Sequence, residues 1–97
     1  MGYRISLTES AKGDIAHFEA YEQRIIVAGI IAHLKADAEL QTRNKKRLRP
    51  NPIAPWERRL DRYRVFYRVQ AGSRLKIVAV GHKEHNDLFI RGREAQL

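Results

Sequence analysis

Trp56–Val80 reads WERRLDRYRVFYRVQAGSRLKIVAV, and its alternation decides the fold. Three runs rich in aromatic and β-branched residues, Trp56 to Leu60, Tyr63 to Val69 and Leu75 to Val80, carry the pattern of strands. The segments between them, Asp61-Arg62 and Ala71-Gly72-Ser73, are short enough for hairpin connections. Three consecutive strands so joined form an antiparallel meander. Because successive strand residues point to opposite faces, Trp56, Arg58 and Leu60 share one side and Glu57 and Arg59 the other. In the next strand Val65, Tyr67 and Val69 share a face, and Arg64, Phe66 and Arg68 the opposite one. Arg58 fits its apolar face poorly unless its stem packs and its head reaches water.

Upstream lies a long basic connection. From Glu39 to Pro55 the apolar pattern disappears, and Pro50, Pro52 and Pro55 remove backbone donors and disfavour helix before them. A loop of this length in a small domain is commonly functional or mobile. Further upstream, Tyr3, Ile5 and Leu7 alternate with polar residues as a short strand. Thr8 is a cap for a helix over about Glu9 to Ala20, on which Ala11, Ile15 and Phe18 repeat at helical spacing. The polar group Tyr21 to Arg24 is a turn. A second helix follows with Ile26, Ile30 and Leu34 in a broad stripe beside Val27, Ile31 and Ala38. The expected architecture is α+β in one domain, residues 1–97: an N-terminal strand, two antiparallel helices on one sheet face, and a meander of three or four strands.

The charge is local. Arg43 to Arg68 holds ten of the 19 Lys and Arg residues and two acids, Glu57 and Asp61, so this segment alone carries a net charge of +8. A cluster of this kind is the electrostatic footprint for a polyanion, nucleic acid first. With no cysteine there are no disulfides, thiol nucleophiles or thiolate zinc sites. No secretory signal is visible, and the longest apolar run, Ile25 to Ala32, is far short of the roughly 20 residues that span a bilayer. A soluble, cytoplasmic protein is expected.

Candidate chemistry follows from the faces. Arg64, Arg68, Glu57 and Arg59 are expected on the side away from the helices, with Phe66 among them to stack on an unpaired base and the guanidinium groups to hold phosphates. Lys45, Lys46, Arg47 and Arg49 form a mobile electrostatic approach to RNA. His82-Lys83-Glu84-His85-Asn86-Asp87 supplies proton carriers after the last strand. His82, His85 and Asp87 lack a recognised metal-site pattern, and a basic surface disfavours a dication. His17 and His33 are expected on the helices, at the surface or partly packed. No Gly-rich phosphate loop or nucleophile elbow occurs, and no cofactor is implied. The residue types suit metal-free RNA cleavage through the ribose 2′-hydroxyl.

KKRLRPNPIAPWERRLDRYRVFYRV (Lys45–Val69), followed after a turn by LKIVAVGHKEHNDLFI (Leu75–Ile90), resembles the RelE/ParE superfamily of toxins from type II toxin–antitoxin modules. The resemblance covers nearly the whole chain. Its RelE branch implies metal-free cleavage of messenger RNA on the ribosome, inhibition of translation, and a cognate antitoxin as partner. It carries the family's basic site positions to Arg59, Arg64 and Lys83, with Glu57 in place of a strand lysine. The place of the family's C-terminal catalytic tyrosine is taken by Phe89, which transfers no proton, so His85, with His82 second, is the expected substitute. The ParE branch implies poisoning of DNA gyrase instead. A catalytically weak member that chiefly binds its antitoxin is the third alternative.

Overall fold

The computed structural model describes residues 2–97. The chain begins with strand β1 (Arg4–Leu7), followed by helices α1 (Glu9–Ala16) and α2 (Ala20–Leu34). It continues through β2 (Lys45–Arg47), β3 (Trp56–Leu60), β4 (Tyr63–Gln70), β5 (Arg74–Glu84), β6 (Asp87–Ile90) and β7 (Arg93–Ala95). All seven strands join one sheet, ordered β2-β3-β4-β5-β6-β7 and antiparallel throughout, with β1 parallel to β5. The α+β class, the N-terminal strand, the helix pair and the meander are as expected. The meander is longer, because Asp87–Ile90 and Arg93–Ala95 add two strands after the three expected ones.

Two expectations along the chain are corrected. The Glu39–Pro55 connection is not structureless: Lys45–Arg47 pairs antiparallel with Trp56–Arg58, and Leu48 N–H donates to Pro55 O at 2.7 Å. The helix boundary also lies earlier than Tyr21. α1 stops at Ala16, and Tyr21–Arg24 forms the first turn of α2 because Glu22 Oε1 accepts the Glu19 N–H at 3.2 Å, closing a capping box. Thr8 caps α1 as expected, its hydroxyl accepting from Ala11 N–H at 3.0 Å.

β5 changes partners halfway along one edge. β1 covers that edge up to Ile77, and β6 takes over from His82. Between them Val78 is an extra residue, since Phe66 pairs with Ala79 and Tyr67 with Ile77. α1 satisfies the uncovered backbone: the Thr8 hydroxyl donates to Val78 O at 3.3 Å, and Asp14 Oδ2 accepts the Val80 N–H at 3.0 Å. Asp14, 2% exposed, also takes Arg91 Nε on Oδ1 at 2.7 Å, and so ties the end of β6 to the helix.

The helix-side core joins Ile15, Phe18, Ile26, Ile30 and Leu34 to Trp56, Tyr63, Val65, Tyr67, Leu75 and Ile77. α2 buries a narrower stripe than its sequence suggests. Val27 and Ile31 are 43% and 56% exposed, whereas Glu22 is buried. Its Oε2 accepts from the Tyr63 hydroxyl at 2.7 Å and Arg62 at 2.6 Å, so one carboxylate caps the helix and anchors the β3–β4 turn.

Asp14→Ala leaves the Val80 N–H without a partner inside the protein, a loss on the order of 1–3 kcal/mol. Glu9→Ala, which removes only the exposed pair with Lys12, costs under about 1 kcal/mol. Urea unfolding of the two variants measures the difference. The hydrogen bonds from Tyr63 and Arg62 hold the Glu22 carboxyl below its ordinary value of 4.5. Its stabilising contribution is therefore complete above pH 4.5 and is lost as pH falls through the lower folded value. Glu22→Gln is expected to unfold at lower urea than wild type at neutral pH, with the gap narrowing once the pH drops below that ordinary value.

Candidate nucleic-acid interface on the helix-free face

The face away from the helices is covered at its centre. Asn51 Nδ2 donates to Arg49 O and Ala54 O, both at 2.8 Å, while its Oδ1 accepts from Ile53 and Ala54 N–H at 2.8 and 3.1 Å. This knot folds the proline-rich loop back over the sheet, where Ala54, Phe66, Ala79 and Leu88 form a second core with Leu48 and Ile53 against it. Phe66 is fully buried. The expectation that its ring stacks on a base is corrected: the loop occupies the space a base would need.

Cations remain at both ends of the covered centre. At one end Arg59 and Arg64 stand directly opposite each other in the β3–β4 register. Like charges so placed repel. Glu57, 3% exposed, offsets part of this by accepting from Arg59 Nε at 3.4 Å. Arg64 Nη1 donates to Asp61 O at 2.6 Å and Tyr63 O at 2.9 Å, and its Nε is buried with no acceptor. Burial pulls the Arg64 pKa down, Glu57 opposes that shift, and Arg59 adds to it.

Arg64 is also opposite Gly81, so no side chain from β5 crowds it. A Cβ at Gly81 would collide with the Phe89 carbonyl of β6. Lys83, two residues on, shares the face and its N–H donates to Arg62 O at 2.8 Å. The structure therefore brings Glu57, Arg59, Arg64 and Lys83 onto one end of one face. At the other end, Arg68 lines a cleft of about 340 Å³ with Arg47, Arg49, Pro50, Asn51 and Pro52. Lys46, opposite Glu57, is exposed on the same face.

Other candidates lie elsewhere. Lys45 is corrected from an RNA contact: it is 4% exposed on the helix side, and its Nζ donates to His33 O at 3.4 Å. Arg47 sits in β2, not in a mobile segment, its guanidinium 5.8 Å from the Trp56 ring centre. His82 is corrected too, because it faces the helices. Its ring meets Phe18 edge-on at 6.0 Å and stacks on Phe89 at 5.6 Å, and Nε2 lies 3.2 Å from Glu84 Oε1. Phe89 thus also faces the helices. His85 is exposed at the β5–β6 turn with φ 57°. His82, His85 and Asp87 accordingly do not converge.

Two residues escaped the sequence reading. Asp14 was signalled by an acid three residues after Ala11 on the buried side of α1, and Asn51 by its place between two prolines, where its side chain takes over backbone bonding.

The fold defines a small α+β protein with a basic face opposite its helices. The family described as the ParE toxin of type II toxin–antitoxin system, parDE, matches residues 5–87. The chain belongs to this family, within the RelE/ParE superfamily, and is a toxin of a type II toxin–antitoxin system. Among solved structures it is similar to the toxin–antitoxin complex RelBE2 from Mycobacterium tuberculosis, with 21% identity and a TM-score of 0.74. That similarity covers 86% of this chain and 100% of the other. No curated protein matches the sequence. Among the described residues no helix is long and apolar enough to cross a membrane.

Phe66→Ala is expected to destabilise the fold by about 3–5 kcal/mol through an unfilled cavity. Urea midpoints of the variant and wild type check this.

Proposed function

We propose that this toxin cuts messenger RNA on the ribosome, without a metal, by attack of a ribose 2′-hydroxyl on the adjacent phosphorus. The observation that carries the proposal is the register pair Arg59 and Arg64, with Lys83 beside it on the same face. Nothing in the fold requires two guanidinium groups to oppose each other there, and a phosphate between them would turn the repulsion into binding. Arg59, Arg64 and Lys83 stabilise the charge that grows on the phosphoryl oxygens. Glu57, buried against Arg59, holds that guanidinium in place, and the 2′-hydroxyl proton passes to water. The O2′–P bond forms as the P–O5′ bond breaks, and His85, two residues past Lys83, delivers a proton to the departing O5′. Lys46, Arg49 and Arg68 hold flanking phosphates. The toxin acts where ribosomes are, in the cytoplasm, and a cognate antitoxin restrains it.

A second reading, inhibition of DNA gyrase, is favoured by one observation. Phe89 and His82 stack on each other on the helix side, so neither offers a proton to the Arg59–Arg64 face. Mapping transcript 5′ ends after induction separates the readings. RNA cleavage gives new ends within translated regions. Growth arrest with cleaved DNA and no new ends indicates gyrase, and unimpaired growth indicates a module that only binds its antitoxin. Arg59→Ala and Arg64→Ala are each expected to lower cleavage by about 2.7–4 kcal/mol of transition-state stabilisation, roughly 10²–10³-fold. Arg4→Ala and Lys12→Ala leave it unchanged. Equal cleavage by all four variants defeats the assigned face.

A further inference from the structure

Arg58 makes no side-chain hydrogen bond among the described residues, although it lies half-buried in the middle of β3. The neighbouring arginines differ. Arg59 donates to Glu57, Arg62 to Glu22, and Arg64 to two carbonyls. Arg58 Nε is buried with no acceptor, and the residue directly opposite it in β2 is another base, Lys45. Lys45 has an explanation in the fold, since its Nζ reaches the His33 carbonyl in the last turn of α2, where the helix dipole is negative. Arg58 has none.

We infer that Arg58, flanked by Lys45, forms an oxyanion site on the helix side of the sheet, whose occupant is the carboxylate of an acidic antitoxin side chain. The site is on the opposite face from Arg59, Arg64 and Lys83, so a nucleic-acid strand held by those three does not reach it. Its surroundings suit a protein: the stem of Arg58 lies beside the buried Trp56–Tyr67 stack, and Leu40, in the segment leading to β2, is 58% exposed. The fork of a guanidinium matches a carboxylate bidentately. Of the toxin's own acids, Asp37 lies near Lys45, but none pairs with Arg58 among the described residues. Glu57 is engaged on the other face with Arg59. Burial depresses the pKa values of both Arg58 and Lys45, a shift opposed by Tyr67 at Arg58 and by Asp37 at Lys45.

The inference rests on the antitoxin partner proposed above, while transcript mapping reads RNA cleavage separately. The test titrates the purified toxin, wild type and Arg58→Met, with the full-length antitoxin from the same operon. A uridine oligonucleotide is titrated in parallel, and the thermal midpoint of the free toxin is recorded. Arg58→Met is expected to weaken the antitoxin at least about tenfold, as for loss of a desolvated charge pair, with oligonucleotide binding and the midpoint unchanged. One Glu→Gln or Asp→Asn replacement in the antitoxin should reproduce the loss and add nothing to Arg58→Met. Antitoxin affinity within twofold of wild type overturns the proposal. So does a loss matched by a fall in the midpoint, which makes Arg58 structural, or a loss confined to the oligonucleotide, which makes the occupant a phosphate. Failure of wild-type toxin to bind antitoxin removes the partner and the proposal together.

Discussion

The structure depends on the stretch of β5 from Val78 to Gly81, where β1 has ended and β6 has not begun. A strand edge left bare inside a protein carries backbone groups that must be paired. Thr8 and Asp14 do this from α1, so the first helix is part of the sheet's hydrogen bonding as well as its cover. The arrangement has consequences in both directions. It seats Phe18 against Tyr63 and His82, and through Arg91 it fixes the start of the β6–β7 hairpin. The bulge at Val78 lies in this interval, the one place where β4 and β5 slip by a residue.

Across its strands the sheet sets basic side chains opposite one another. Arg59 opposes Arg64, Lys45 opposes Arg58, and Arg68 opposes Lys76. Like-charge pairs in adjacent strands work against folding, and the protein meets each of these differently. Glu57 and turn carbonyls take up the first pair, the end of α2 takes up half of the second, and the third remains in solvent. What is left over, a concentrated field on one face and an unanswered guanidinium on the other, is available for partners. The RNA and antitoxin contacts proposed above would engage these opposite faces.

Much of the fold was legible because alternation and turn chemistry are local. Trp56–Val80 reads as a meander in any environment, and the Asp61-Arg62 and Ala71-Gly72-Ser73 turns lie where their composition puts them. Lys45–Arg47 was not legible as a strand. Three bases carry no apolar signal, and their pairing with Trp56–Arg58 follows from the loop that returns them there. For the site, strand parity placed Glu57, Arg59 and Arg64 on a common face correctly. The same parity placed Phe66 beside them, but parity does not say what lies above a face. Asn51 does, by folding the proline loop onto it. His82 was expected near the open face from its place after the last strand, and Phe89 from the family's tyrosine position. Neither ground says which side of a strand a residue takes, which a shift of one residue reverses.

By itself, then, the sequence determined the α+β class, the order of most elements, the localised positive charge and the side of the sheet on which Arg59 and Arg64 stand. These follow from side-chain periodicity and composition, which need no knowledge of distant neighbours. The tertiary structure alone decided which charges are answered and which surfaces are covered. Asp14 meets Val80, Glu22 meets Tyr63 and Arg62, and Ala54 meets Phe66 only after residues far apart in the chain converge. Whether a charge is paired or a ring is buried depends on that convergence, because both are properties of the space around a side chain.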